Sequence, residues 1–312
     1  MEEAHEDDEV FVYMGGNQQV PDGVRRARIH KSVKIVRARA FIGRRYLSYV
    51  EFHDGIEIIE EEVFRNCRSL RGIIKLLGVR IIKQGAFRGC TGLTGVEFGD
   101  KLETIEQNAF YHCSSLKNIK MPSVRTIGVW AFANCSELSD VEFGEALRTL
   151  HIQSFYKCLK LERIALPLKN KMISVGVFDN CLKLATVDLV GGIYQTVASL
   201  HLESWRNHMS NEINRINQTL PTTTKIRQWL RTVIHQLDHF KVEHRRLMKE
   251  ATTLLELALW KANLGDNGGD SLEREGVRTT RGSRKRARKE ICVTSGASIV
   301  IKNVLPFLQL LE

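Results

Sequence analysis

Apolar residues recur with a fixed period over more than half of the chain. A phenylalanine returns every 23 residues, with one gap of 22. The set is Phe41, Phe64, Phe87, Phe110, Phe132, Phe155 and Phe178. A cysteine stands three residues after each of the last six, at Cys67, Cys90, Cys113, Cys135, Cys158 and Cys181. This period predicts a solenoid, because one such unit cannot bury its own apolar face and stacked units share a core.

Each repeat is predicted to contain a strand and a return segment. In the repeat that begins at Leu93, the stretch Val96 to Phe98 alternates between inward and outward positions as a strand does. The spacing of Leu102, Ile105 and Ala109 by three and four, with Phe110 next to Ala109, predicts that the chain returns through a tight helical turn. Equivalent strands, stacked in parallel, are predicted to begin at Val24, Leu47, Leu70, Leu93, Leu116, Leu138 and Leu161, with an eighth from Leu184 to Leu189.

The repeat carries a family signature. The pattern L-x-x-I-x-M-P-S-V-x-x-I-x-x-x-A-F-x-x-C from Leu116 to Cys135 resembles the BspA-type leucine-rich repeats over about residues 24 to 190. The chain also resembles intracellular members from unicellular algae through Val10 to Gly16, Ala198 to Asn207 and Lys302 to Leu310. The resemblance implies an α/β fold class, a leucine-rich-repeat solenoid with a short-stranded parallel sheet of about seven to eight repeats. It implies no settled activity.

Function in such a fold is expected on outward strand positions, because the apolar positions are committed to stacking. The candidate partner-binding residues are Arg25, Arg26, Arg28, Tyr49, Glu51, Glu97, Lys117, Lys120, Asp140, Glu142, Glu162, Arg163 and Asp188. A nucleic-acid groove needs one positive sign with interleaved aromatic rings. These charges are mixed in sign and only Tyr49 offers a ring, so the face favours a protein partner. A merely solvated surface is the alternative.

The cysteine column could be a metal site or part of the core. Zinc needs four converging ligands, usually in C-x-x-C pairs, which the sequence lacks. Free cysteine packs as a small apolar residue, so a core position is predicted, with no metal and no cofactor. The sequence also lacks G-x-S-x-G and phosphate-loop motifs, which favours a non-enzymatic protein. A site assembled from separate repeats stays open.

Two helices are predicted after the repeats. The first carries Trp205, Met209, Ile213, Ile216 and Leu220 and ends before Pro221. The second runs from about Lys225 to Leu264, and apolar residues recur along it in heptads. This heptad seam comprises Ile226, Leu230, Val233, Leu237, Phe240, His244, Leu247, Ala251, Leu254 and Ala258. Its partner could be the first helix, a second copy of the chain in a homodimer, or the apolar segment 299–311.

Basic residues concentrate near the C-terminus. Residues 274–290 hold a local charge of +6 of the net +10. The basic tract itself consists of Arg284, Lys285, Arg286, Arg288 and Lys289. It resembles a nuclear-localisation signal or a nucleic-acid contact. A solvated charge run is the alternative.

The acidic stretch Met1 to Glu9 does not resemble a signal peptide, and no apolar run is long enough to span a bilayer. With seven cysteines in 312 residues, an intracellular location, cytoplasmic or nuclear, is expected. An adhesin-like role would require export, and the sequons at Asn134 and Asn217 would then be candidate glycan sites.

The sequence therefore predicts a scaffold that binds a protein partner through the solenoid, with C-terminal helices for self-association or docking. A nuclear or nucleic-acid-associated role through residues 274–290 is the first alternative. The predicted segments are an acidic arm and cap (1–23), the solenoid (24–196), a helical hairpin or coiled coil (197–264), a basic disordered linker (265–290) and an apolar helix (291–312).

Overall fold

The repeating part of the protein consists of two sets of short parallel strands. The computed structural model describes residues 10–200 and 202–267, with side chains as far as Lys261. The longer strands are β1 (Val10–Tyr13), β2 (Arg26–Ile29), β4 (Tyr49–Glu51), β6 (Gly72–Leu76), β8 (Leu93–Phe98), β10 (Asn118–Met121), β12 (Asp140–Phe143), β14 (Arg163–Pro167) and β15 (Thr186–Val190). The two-residue strands are β3 (Ile35–Val36), β5 (Ile58–Ile59), β7 (Ile81–Ile82), β9 (Thr104–Ile105), β11 (Thr126–Ile127) and β13 (Thr149–Leu150).

Each set forms a ladder in which a strand pairs with its counterpart one repeat away. The long-strand ladder consists of three hydrogen-bonded groups, β1-β2-β4, β6-β8 and β10-β12-β14-β15. The short-strand ladder is one continuous sheet from β3 to β13. All these pairs are parallel. The leucine-rich-repeat solenoid predicted from the period is therefore confirmed, with about seven turns.

The phenylalanine column lies in the turns that follow the short strands and forms part of the core. Successive rings from Phe41 to Phe155 stack with centroids 5.0 to 5.2 Å apart, and Phe178 ends the column at 5.9 Å from Phe155. All seven rings are buried. The six cysteines behind them are buried and free, as the sequence predicts.

The return segment is not a helical turn, so that prediction is wrong. Ile105 lies in strand β9, and the turns that follow contain two residues with left-handed backbone, Asn108 (φ 56°) and His112 (φ 61°). Every repeat has both. The first position holds Arg39, Glu62, Gly85, Asn108, Trp130, Gln153 and Gly176; the second holds Gly43, Asn66, Gly89, His112, Asn134, Lys157 and Asn180. A positive φ interrupts right-handed helical hydrogen bonding, so the chain turns twice instead of winding.

The long strands begin later than predicted. The leucines taken as strand starts, such as Leu116, are buried in the turn before the strand, and β10 begins at Asn118. Strand β8 is the exception, since it begins at Leu93. The structure also adds β1, which pairs with β2 and lies before the first predicted strand.

The helical region begins with α1 (Ile193–Ala198) and α2 (Glu203–Asn214), followed by a 3₁₀ helix (Arg215–Gln218) and α3 (Thr223–Asn267). Helix α3 agrees with the predicted second helix. The predicted first helix is wrong in part, because it is divided among shorter elements. Leu220, predicted on its apolar face, is exposed beyond the 3₁₀ helix.

The described residues divide into two compact units. The first contains residues 10–194 and 210–234, and its helical part caps the last repeat. The backbone N–H of Phe178 donates to Thr223 Oγ1 at 2.9 Å, and that of Val187 donates to Asn217 Oδ1 at 2.8 Å. Trp229 and Val233 of α3 are buried in this unit. The end of the solenoid is thus a partner of the heptad seam that the sequence prediction did not include.

The second unit contains residues 195–209, apart from 201, and 235–267. In it α2 and α3 contact each other: the Trp205 and Phe240 rings stack at 5.1 Å, and His208 Nε2 lies 3.1 Å from Gln236 Oε1. The far part of α3 exposes apolar side chains, including those of Leu254 and Trp260. Among the helices of the described residues, none is both long and apolar enough to cross a membrane.

Candidate protein-binding surface

The outward face of the long-strand ladder carries charges that alternate in sign from one repeat to the next. One column runs Arg28, Glu51, Lys75, Glu97, Lys120 and Glu142. Neighbours in this column form ion pairs across the strands. The distances are 2.6 Å for Arg28–Glu51, 3.4 Å for Lys75–Glu97 and 3.0 Å for Lys120–Glu142. The column therefore neutralises itself, because the sequence places opposite charges one repeat apart.

Charged side chains in the last repeats also form ion pairs within the chain. Arg163 donates to Asp188 at 2.7 Å and to Asp140 at 3.1 Å. Partial desolvation opposes ionisation, but these hydrogen bonds and charges raise the pKa of Arg163 above its ordinary value. Exposed ion pairs contribute about 0 to 1 kcal/mol each. Arg163, Asp140 and Asp188 are thus already paired with one another within the chain.

Five of the sequence-predicted residues stand outside these pairs. Arg26 places its guanidinium 5.3 Å from the centre of the Tyr49 ring, in a cation–π contact. Arg25, Lys117 and Glu162 are exposed, and their side chains form no ion pair within the described residues. Arg25, Arg26 and Tyr49 lie together in the first two repeats, so the predicted residues free to meet a partner concentrate at that end.

A groove opens beside Arg25. It has a volume of about 460 Å³ and is lined by Arg25, Tyr46, Ser48, Arg68, Ser69, Arg71 and Gly92. Hydrogen bonds across three repeats fix its edge: the Ser48 N–H donates to the Arg25 carbonyl at 2.8 Å, and the Arg71 N–H donates to the Ser48 carbonyl at 3.2 Å. Gly92 is required here, because a Cβ at this position would lie 2.9 Å from the Arg68 and Leu70 carbonyl oxygens.

Three exposed apolar side chains lie in the same repeats as this groove, and one of them, Tyr46, lines it. Tyr46 is 64% exposed and Tyr49 47%. Ile73, two residues after Arg71, is 60% exposed. We call the combined surface the N-terminal patch; it consists of Arg25, Arg26, Tyr46, Tyr49, Arg68, Arg71 and Ile73. Tyrosine and arginine are the residues over-represented at the energetic centres of protein interfaces.

Sequence reasoning missed four residues of the N-terminal patch: Tyr46, Arg68, Arg71 and Ile73. Tyr46 and Arg68 precede the predicted strand starts at Leu47 and Leu70 and lie in turns, whereas Arg71 lies within the predicted strand but was not among the predicted binding residues. Ile73 occupies an outward position because β6 has an irregular register against β8 between Gly72 and Ile73. The available signal was the run of arginine and tyrosine at turn positions of the early repeats.

The cysteine side chains of the repeats have the properties of core residues, because they are buried and their thiols are hard to ionise. Burial raises the pKa of the Cys67 and Cys135 thiols to about 12. It also holds the pKa of Cys90, Cys113 and Cys158 well above the ordinary value. These thiols are therefore protonated and unreactive near neutral pH. Among the described residues, no group of three or more His, Cys, Asp or Glu side chains could hold a metal ion.

Several sequence predictions lie outside the described residues. They are the acidic stretch Met1 to Glu9, residues 268–290 of the basic disordered linker, and the apolar helix 291–312 with its segment 299–311. The basic tract of Arg284, Lys285, Arg286, Arg288 and Lys289 lies in that linker, whose first residues, 265–267, belong to α3 instead.

Comparison with known families gives a match over the repeats. The family described as "BspA type Leucine rich repeat region" matches residues 23–122 and 80–200 in six copies. No curated protein is significantly similar to the chain in sequence.

Several crystal structures resemble the chain. A leucine-rich-repeat protein of T. pallidum is 25% identical with a TM-score of 0.38, over 59% of this chain and 74% of that one. A leucine-rich-repeat protein of Eubacterium ventriosum is 19% identical with a TM-score of 0.37, over 51% and 49% of the two chains. The pneumococcal vaccine antigen PcpA is 19% identical with a TM-score of 0.33, over 54% and 51%.

Proposed function

The chain belongs to the BspA-type leucine-rich-repeat family, and from this premise we propose that it is a scaffold that binds a protein partner through the N-terminal patch. Leucine-rich-repeat proteins generally act as protein-interaction scaffolds, using the extended surfaces that stacked repeats create. The observation that carries the proposal is the exposure of Tyr46, Tyr49 and Ile73 among arginines that have no acidic partner in the described part of the chain.

The rest of the long-strand face is a poorer binding surface. Most of its charged side chains already pair across the strands, as Lys120 does with Glu142; Lys117 and Glu162 are the exceptions among the predicted residues. A partner that displaced such pairs would desolvate charges and gain little in return. The N-terminal patch offers large apolar and cation–π surfaces instead, which release water on contact without breaking an internal ion pair.

We propose a second docking surface on α3. Leu254, Leu257 and Trp260 are exposed on a helix that is amphipathic in its first half. Exposed apolar side chains at this density favour self-association through the far part of α3. This surface would join copies of the chain.

The proposed scaffold is non-enzymatic and intracellular, cytoplasmic or nuclear. Leucine-rich-repeat families are generally non-enzymatic, and the six buried, free thiols support the intracellular location. Unpaired thiols are typical of a reducing compartment. Cell fractionation tests the location: recovery of the protein from secreted or surface fractions, with glycans at Asn134 or Asn217, would contradict it.

Cross-linking from inside the patch tests the binding proposal. A photo-reactive phenylalanine analogue replaces Tyr46 in one variant and Ile152 in a control. Ile152 is 51% exposed and lies in the turn after β13, outside the patch. We expect a protein adduct of defined mass from position 46 and none from position 152. Equal adducts from both positions, or none from position 46, would contradict binding at the patch.

A further inference from the structure

The three arginines of the groove, Arg25, Arg68 and Arg71, have no counter-charge among the described residues, unlike Arg44 and Arg65. Arg44, nearby in sequence, pairs with Asp22 at 2.9 Å, and Arg65 pairs with Glu62 at 2.6 Å. Arg25, Arg68 and Arg71 form no ion pair with any carboxylate of the described residues. Three guanidinium groups around one groove repel each other, and an anion bound among them would relieve that repulsion.

The shape of the groove leaves room for such an anion. Three of its lining residues, Ser48, Ser69 and Gly92, are small, and the volume of about 460 Å³ exceeds that of a single phosphate group. The Ser48 hydroxyl donates to the Arg25 carbonyl at 3.0 Å. The hydroxyls of Tyr46 and Ser69 form no hydrogen bond within the described part of the chain, so both can donate to a ligand.

We propose that this groove binds a phosphorylated side chain of a protein partner. The inference rests on the proposed function, because it names the chemistry that the N-terminal patch recognises. A phosphate monoester carries a charge of about −1.5 to −2 near neutral pH and three acceptor oxygens. Guanidinium groups bind such oxygens through paired hydrogen bonds, and clusters of arginine are a recurring means of recognising phosphorylated motifs.

A peptide fits this groove better than a nucleic acid. Single-stranded nucleic acids are held by a basic groove together with aromatic rings on which successive bases stack. One ring, that of Tyr46, lines the groove, and the neighbouring Tyr49 ring is engaged by Arg26. Beyond the groove the face becomes a column of alternating charges in which Glu51 and Glu97 would oppose a phosphate backbone.

Peptide binding by the full-length chain tests the proposal. The probes are fluorescent peptides with randomised flanks and a central phosphoserine, phosphothreonine or phosphotyrosine. Matched libraries carry serine, threonine, tyrosine or glutamate at the centre. The groove variant is Arg68→Gln with Arg71→Gln. The control is Arg125→Gln with Arg148→Gln, which removes the same charge from two exposed arginines that have no ion pair within the described residues.

We expect at least one phosphorylated library to bind about tenfold or more tightly than its unphosphorylated and glutamate counterparts. The groove variant should lose that preference and the control should keep it. Equal binding of phosphorylated and unphosphorylated libraries overturns the proposal. So does a phosphopeptide preference that survives in the groove variant, or an oligo(dT) strand that binds more tightly than every phosphopeptide and needs Arg68 and Arg71.

The cross-linked partner separates this inference from the proposed function. Treating that partner with phosphatase before cross-linking should reduce the adduct from position 46. If the adduct forms equally after phosphatase treatment, the patch binds protein but the groove does not recognise a phosphorylated side chain. If position 46 gives no adduct in either case, protein binding at the patch is itself wrong.

Discussion

The Cys113 thiol lies 3.2 Å from the carbonyl oxygen of Phe87 in the preceding repeat and donates a hydrogen bond to it. The same bond joins each of the six cysteines to the phenylalanine carbonyl one repeat earlier. The Phe87 carbonyl also accepts from the N–H of Cys90 in its own repeat, at 3.1 Å. Each cysteine therefore links its repeat to the preceding one. Its thiol donates a second hydrogen bond to a phenylalanine carbonyl that otherwise accepts only one.

Replacing that thiol tests its role in packing. We expect Cys113→Ala to lower the free energy of unfolding by ~1 to 2 kcal/mol, because the sulfur leaves a small void and its hydrogen bond is lost. Denaturant unfolding measures the change. Glu162→Ala, at an exposed side chain with no ion pair in the described residues, is the control and should change little. Unaltered unfolding of Cys113→Ala would contradict a packing role.

The phenylalanine column is expected to be more sensitive. Phe110 stacks on Phe87 at 5.0 Å and on Phe132 at 5.1 Å. Phe110→Ala should cost ~3 to 5 kcal/mol, because it removes a fully buried ring and opens a cavity between two repeats. Equilibrium denaturation gives the value, and an unchanged midpoint would show that the column is not the core.

The raised thiol pKa values predict how stability depends on pH. Burial raises the pKa of Cys135 from its ordinary value of 9.0 to about 12. As the pH rises, the Cys135 thiol therefore loses its proton at a lower pH in the unfolded chain than in the folded chain. The contribution of this thiol to the free energy of unfolding is fully present below pH 9 and falls as the pH approaches 12. Each such thiol contributes a slope of up to about 1.4 kcal/mol per pH unit.

Comparison with Cys135→Ala isolates this contribution, because other groups also titrate in that range. The unfolding free energy of the unaltered chain should fall more steeply between pH 9 and pH 11 than that of the variant. Parallel curves would mean that the Cys135 thiolate is tolerated in the folded chain.

The exposed part of α3 predicts self-association. We expect the full-length chain to show a mass that rises with concentration, measured by light scattering. Leu254→Gln with Leu257→Gln should reduce it to the monomer mass, since glutamine keeps the helix but removes the apolar contact. The control Thr253→Gln with Glu256→Gln alters neighbouring positions and should leave association intact. A monomer at every concentration would contradict this second surface.

The sequence predicted the stack of repeats because its period is independent of local conformation. It failed at the return segments, since a spacing of threes and fours is shared by helices and by these turns. The left-handed positions could not be predicted from residue type either. Glu62, Trp130 and Gln153 adopt a positive φ, although glycine and asparagine are the residues that usually indicate this conformation.

The candidate surface was predicted in part. Arg25, Arg26 and Tyr49 were among the outward residues that the sequence named. Sequence spacing could not show which outward-facing charged residues form ion pairs. These pairs depend on strand register and on side-chain length, as for Lys75 with Glu97. The helical cap was missed because it depends on contacts far apart in the chain, such as that of Phe178 with Thr223.

Affinity capture of the tagged full-length chain from its own cells tests the central claim most directly. The comparison includes Tyr46→Ala with Tyr49→Ala, a control of Ile152→Ala with Val175→Ala, and a deletion of residues 274–290, each before and after nuclease. We expect one defined protein partner that survives nuclease, the control and the deletion, and that is lost from the tyrosine variant. A partner retained by the tyrosine variant, or capture of nucleic acid that depends on residues 274–290, would contradict it.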